Sequence, residues 1–431
     1  MARLIAYTSV LMLPWALVMM SLGGIRAAFG VPVLMAYCLT LSVPTIFRPG
    51  FFYRLNKSAI LPVLILLLVT IAYLRAVIDG NFEPIKMLAL TLIWVILLLG
   101  FPSWRRLHIP AHACWRGVQV YVALNLIGWL IGVPLPENPY GDETGAASIL
   151  GLLGLNVQRV FFPFSLGVNG FGVVAGLASV SSFIFFFLKR SFFNFALLMM
   201  CALSLLLSDS RGALGFTFLT LLILALAYLI RRIRYFPTLL ITLVVIAYPL
   251  VTLMIFNTIN WILGDYAALV RASGGLLSGR DVIWEAVWDR ARTFSALEWI
   301  FGWGYQGQVP SGASQGYSQL FEHLRGIDPE KMNVHSSALQ VVLDFGLIGL
   351  LSVMGVAFHR MHTLLQAPQR GDYIAWPLVL GFFFYSILAG GVDLTLNQNN
   401  LVFFYLFLLM SAWRLLHPLP LRVGNGVRNV I

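Results

Sequence analysis

Apolar stretches of span length recur along the whole chain, near 4–24, 27–47, 58–75, 86–103, 117–134, 161–188, 192–208, 212–230, 237–263, 335–357, 373–392 and 399–416. A helix needs about 20 such residues to cross the hydrocarbon of a bilayer. Only 10% of the 431 residues are charged and 59% are hydrophobic, whereas soluble domains carry about 25% charged residues. A water-soluble fold could not hide that much apolar surface. The expected fold is an all-α integral membrane protein with about twelve transmembrane helices, residues 1–431 forming a single polytopic membrane domain. The first stretch begins at Leu4 and lacks a small-residue cleavage site, so it reads as a retained helix and not a signal peptide.

The charges give the orientation. With a cytoplasmic N-terminus, the inner loops hold Arg48, Arg54 and Lys57, then Arg105, Arg106 and Arg116, then Lys189 and Arg190, then Arg231, Arg232 and Arg234, then Arg360 and Arg370. The tail adds Arg414, Arg422 and Arg428. Asp79, Glu83, Glu137, Asp142, Glu143, Asp209 and most acids of 264–334 fall on the other side. This is the positive-inside pattern, with both termini inside. The net charge of +11 therefore reads as topology and contact with membrane lipids, and nucleic acid is not an expected partner.

Two outer loops exceed turns: 135–160 and 264–334. Within the larger one, "LSGRDVIWEAVWDRARTF" predicts an amphipathic helix. Ser278 can cap it, with Asp281 three residues on. Ile283, Trp284, Val287, Trp288 and Ala291 form one apolar stripe. Such a helix would lie on the outer membrane surface or against the bundle. A glycine-rich turn, "FGWGYQG", follows it.

Some charges escape the topology rule. His335 opens the apolar segment "HSSALQVVLDFGLIGLL" at its outer end, Arg211 opens another span, Arg159 precedes a third, and Arg280 lies in the large outer loop. Ionisable groups near membrane depth are costly and face partners or cavities. Converging on one leaflet, three guanidiniums and an imidazole would make an anion site, since guanidinium grips phosphate bidentately. Blander readings stay open for each. Arg211 could pair with Asp209, Arg280 could be a solvated helix charge, Arg159 could snorkel, and His335 could touch a headgroup. Asp344 lies mid-span, where it would pair within the bundle or line a polar path. Asp393 begins an outer turn and reads as exposed.

The sequence holds no Walker loop and no HExxH. His359 and His362 have metal-like spacing but sit among inner basic residues without a carboxylate. The outer acids are scattered, so neither a metal nor another cofactor is expected. The cysteines are Cys38 and Cys201 in spans and Cys114 in a basic loop, with no CxxC pair.

Four segments in order resemble the O-antigen ligase and polymerase superfamily of bacterial envelope glycosyltransferases, most of all the O-antigen ligase. They are "RVFFPFSLGVNGFG" with Arg159 and Asn169, "SDSRGALGF" with Arg211, "SGRDVIWEAVWD" with Arg280 and Trp284 ahead of "FGWGYQG", and "NVHSSALQVVLDFGLIGLL" with His335. The resemblance covers roughly residues 155 to 355. It implies transfer of a glycan from undecaprenyl diphosphate to an acceptor hydroxyl on the periplasmic face of the inner membrane, without a metal and with inversion. The acceptor would be the lipid A–core in a ligase, or another lipid-linked repeat in a polymerase. His335 would be the base, Arg211, Arg280 and Arg159 would hold the diphosphate, and Asn169, Asp209, Trp284 and Asn333 would support them. A reading of another class is a flippase or transporter that uses Asp344 midway. That reading calls for inverted repeats or broken spans, and the sequence offers none. The chemistry expected of arginines alone predicts that transfer by the purified protein survives a chelator. Loss on chelation with recovery on added magnesium would contradict it.

Overall fold

A computed structural model describes residues 60–80, 91, 108–135, 159–165, 167–230, 280–322, 328–365, 375–391, 393 and 395. These residues contain no strand. They form helices α1 (Ile60–Ile78), α2 (His108–Leu130), α3 (Val168–Leu188), α4 (Phe192–Leu207), α5 (Arg211–Ile230), α6 (Arg280–Ala291), α7 (Ala296–Phe301), α8 (Ser337–Leu365) and α9 (Ala375–Gly390). Short 3-10 turns lie at Ala313–Gly316, Ser318–Phe321 and Pro329–Lys331. The expected spans at 4–24, 27–47, 237–263 and 399–416, all of 86–103 but residue 91, and the Ser278 cap lie outside the described residues, as do the side chains of His359 and His362. By length and composition, Asn169–Leu188 and Ser337–Gly355 could cross a membrane.

Helix α3 is the hub, packed against α2, α4, α5 and α9. Its small residues let neighbouring backbones approach closely, as at helix contacts within bilayers. A methyl on Gly172 would overlap Ser210, and one on Gly176 would overlap the Tyr385 hydroxyl. That hydroxyl instead passes the helix and donates to the Val173 carbonyl at 2.8 Å. The polar residues of this bundle are inside: Gln119, Ser181, Ser182, Asn194 and Ser204 are buried. The apolar ones look out. Phe218 is 70% exposed and Leu229 72%, with Phe192, Phe195, Met199 and Leu203 forming a second outward stripe. Soluble proteins place these residue types the other way round.

Arg116 and Cys114 correct the expected loop at 105–116, because α2 begins at His108 and both lie within it. Cys114 is fully buried. Arg116 bonds Gln119 Oε1 at 2.9 Å and Asn194 Oδ1 at 2.7 Å, under the ring of Phe185. Asn194 in turn donates to the Phe185 and Lys189 carbonyls, which seals the turn between α3 and α4.

The other departure is in α8. The apolar pattern suggests a continuous span, but the helix is broken at Gly346, where φ is +67° and ψ −168°. A break frees carbonyls that must be satisfied internally. The glycine turn supplies the donors: Trp303 N–H bonds the Leu343 carbonyl at 2.7 Å, and Gly304 N–H bonds that of Asp344 at 3.0 Å. The approach is so close that a methyl on Gly302, Gly307 or Gly346 would collide with the facing backbone. The amphipathic helix expected in the large loop forms at Arg280–Ala291, and it packs Ile283, Trp284 and Val287 against Ala313, Tyr317, Val334 and Leu343, with Ala291 also buried. It therefore rests on its own loop and the start of α8, with Trp288 only half-buried.

Gly346→Ala should lower stability in detergent by about 1–3 kcal/mol, since it forces a non-glycine residue into a sparsely populated backbone region. Gly355→Ala, with nothing within 4 Å of the added methyl, should leave the melting temperature unchanged or slightly raised. Thermal unfolding of the two variants side by side checks this.

Candidate functional site

His335 sits in the turn that feeds α8. Its backbone is left-handed, at φ +49°, a region His enters more readily than most residues. Asn333 explains the turn, because its Oδ1 accepts the His335 N–H at 3.0 Å. One residue earlier, Trp284 Nε1 donates to the Val334 carbonyl at 2.9 Å. Two of the sequence-predicted supports thus hold the one peptide unit, Val334–His335, that leads into the imidazole. The ring itself is half-buried, its Nδ1 is shielded without a hydrogen-bond partner, and it stacks against Phe321 with centroids 6.5 Å apart. Burial, and then the positive charge of Arg280, push its pKa from 6.5 down to about 4, while Asp393 opposes them. At neutral pH the imidazole is neutral.

Asp393 is a correction. The sequence reads as an exposed turn there, yet the residue is half-buried. Its carbonyl accepts both the backbone N–H of Ser337, at 3.1 Å, and its hydroxyl, at 2.8 Å. This ties the end of α9 to the first turn of α8. The available signal was an acid just after an apolar helix.

Arg159, Asn169, Asp209 and Arg211 gather where α3, α4 and α5 meet. Arg159 turns inward: its Nε donates to the Ser208 carbonyl at 2.9 Å and its Nη2 to Asn169 Oδ1 at 2.8 Å. Val160 N–H bonds the Leu207 carbonyl at 3.0 Å. The segment before α3 is therefore strapped across the end of α4. Asp209 is buried with φ +48°. Arg211, the first residue of α5, is exposed. The corner borders α3, whose Val173 carbonyl holds Tyr385 of α9, and Asp393 lies beyond the end of that helix.

Asp344 has a structural role that the sequence leaves undefined. It is buried, and its Oδ1 accepts Gly307 N–H at 2.9 Å and Gln340 Nε2 at 2.8 Å. Gln340 also reaches Gln308 Oε1 at 2.8 Å. The carboxylate thus fastens the glycine turn into the break of α8. Arg75, which the sequence gives no reason to single out, closes the same turn from α1. It donates to the Gly302 carbonyl at 2.6 Å and lies over Trp303, with 5.5 Å to the ring.

A family model described as O-antigen ligase matches residues 195–354. The match runs from α4 into α8, so it takes in Asp209, Arg211, Arg280, Trp284, Asn333 and His335 and stops short of Arg159, Asn169 and Asp393. A search of curated proteins finds no match.

The geometry carries two expectations. Asp344→Leu should cost about 1–3 kcal/mol, because the Gly307 and Gln340 donors lose their acceptor inside the protein. Asp344→Asn, which keeps one oxygen, should cost less, as thermal unfolding would record. The second concerns pH. A histidine whose folded pKa is depressed binds fewer protons than the unfolded chain between its two pKa values. Stability should therefore fall as pH drops from 6.5 toward about 4, and His335→Gln should lose less over that window.

Proposed function

We propose that this chain, whose residues 195–354 match a family model described as O-antigen ligase, transfers a glycan from undecaprenyl diphosphate to a hydroxyl of the lipid A–core. It does so as a twelve-span protein of the bacterial inner membrane with its site facing the periplasm. The observation that carries the reading is the neutral, left-handed His335 beside Arg280 at the mouth of α8. The acceptor oxygen attacks the anomeric carbon. The bond from that carbon to the diphosphate oxygen breaks, and undecaprenyl diphosphate leaves with the electron pair. His335 takes the hydroxyl proton, a role that contributes about 10²–10⁴-fold in rate. Its Nδ1 is enclosed, so Nε2 is the nitrogen offered to the acceptor. Arg280 and Arg211 neutralise the departing diphosphate through planar two-point contacts, and Arg159, whose Nε and Nη2 are held by Ser208 and Asn169, adds its positive charge. Attack opposite the leaving group inverts the sugar.

A transport role has less support. The break in α8 fits a transporter superficially, but its freed carbonyls are taken by Trp303 and Gly304 and the mid-helix carboxylate by Gly307 and Gln340. These groups serve packing and leave Asp344 no need of an ion.

The reading is tested by deleting the gene and examining the lipopolysaccharide. Attached O-chains should disappear while lipid-linked polymer accumulates, whereas core bearing single repeats would identify a polymerase. In purified protein, His335→Ala should abolish transfer while donor binding persists. Donor affinity falling in step with the rate would make His335 a phosphate ligand instead. Arg211→Lys and Arg280→Lys should each cut transfer strongly, since a point charge cannot replace the guanidinium fork. Wild-type rates from both would contradict the proposal. The acid limb of the rate should lie well below 6.5, near about 4, because the base stays neutral until then.

A further inference from the structure

The backbone that presents His335 is held from behind. Gln308 Nε2 reaches the Lys331 and Met332 carbonyls at 3.4 Å each. Tyr317 donates its hydroxyl to the Met332 carbonyl at 2.7 Å, a shorter and better bond. Tyr317 is also a fully buried side chain, 1% exposed. Its ring meets Phe321 edge-on with centroids 6.2 Å apart, and Phe321 is the ring stacked on the imidazole. One side chain therefore reaches His335 by two routes, through the Met332 backbone and through the Phe321 face. A left-handed residue persists only where its surroundings over-determine it, and Tyr317 is where both restraints meet.

We propose that Tyr317 is a positioning residue for His335, its hydroxyl fixing the backbone before the turn and its ring fixing Phe321, so that the imidazole keeps one orientation at the outer end of α8. This rests on the reading of His335 as the base. Tyr317 touches no reacting atom; it acts through the segment 332–335. Neither the matched motifs nor the spacing of charges pointed to it, because Tyr317 lies between two short 3-10 turns, outside those motifs and charges.

Tyr317→Phe is the test, since it keeps the ring and removes only the donor. Two readouts are taken on the full-length protein in detergent. The first is the titration of His335 by NMR of histidine-labelled protein, its signal assigned by loss in His335→Gln. The charges acting on the ring, Arg280 on α6 and Asp393 beyond α9, are unchanged by the substitution, and the Lys331–Asp328 pair on the approach is exposed. A loosened segment admits water, so the titration should move up toward 6.5. The second is transfer, whose maximal rate should fall roughly 10-fold with little change in acceptor KM, as misplacement of a catalytic group does. The acid limb of the rate should follow the titration upward. Phe321→Leu, which spares the Met332 bond, should move both readouts the same way by less, and it decides the matter if Tyr317→Phe does not fold. An unmoved titration overturns the proposal, as does a moved titration with an undiminished rate. If wild-type protein transfers no glycan, the proposed activity fails, and the titration alone still decides whether Tyr317 holds the imidazole.

Discussion

The break in α8 governs the arrangement around it. An apolar helix interrupted within a bundle leaves carbonyls that nothing in hydrocarbon can satisfy. Here a loop segment about 40 residues upstream in sequence comes back to satisfy them, with Trp303 and Gly304 bonded to Leu343 and Asp344. Everything that positions His335 descends from that docking. The glycine turn brings Gln308 and the 3-10 segment to α8. That segment supplies Tyr317 and Phe321, and α6 packs on it with Trp284 reaching Val334. Asp344 of α8 and Arg75 of α1 both clamp the turn, at Gly307 and Gly302.

Electrostatics at the site follow from the same enclosure. A lone imidazole at a membrane surface would titrate near its ordinary value. Enclosure by Phe321 and the turn, with a guanidinium nearby, shifts the balance toward the neutral ring. The carboxylate of Asp393 works against that shift, so the ring stands between two opposite charges. The arginines divide between two settings. Arg159 is spent on Ser208 and Asn169 at the corner of α3 and α4, while Arg211 stands exposed at the head of α5.

Hydropathy made several helices legible with good boundaries. The stretch read at 192–208 is the helix Phe192–Leu207, and 212–230 is Arg211–Ile230, because single apolar runs with charged ends leave little freedom. The outer helix was readable from its apolar stripe. The start of α2 was not, since His108 and Arg116 look like loop residues until Asn194 and Phe185 are seen to receive the arginine. The break at Gly346 was equally hidden. Nothing in "LDFGLIGLL" marks which glycine is left-handed, for that is decided by the approach of Ile300 and Gly302 from elsewhere in the chain. Asp344 looked like a misplaced charge for the same reason: its partners, Gly307 among them, come from a distant loop. Local pattern reports periodicity and charge; contacts between distant segments leave no local trace.

The same break has a consequence for building chimeras. The stretch Ser337–Phe345 is contiguous with the rest of α8 in the chain, but its carbonyls and its carboxylate are fastened to the glycine turn at 302–307. Cutting a graft at the visible start of α8 would separate the turn from its seat and transplant neither intact. The portable unit runs from Arg280 through Gly346, and a host scaffold must also present an arginine where Arg75 stands.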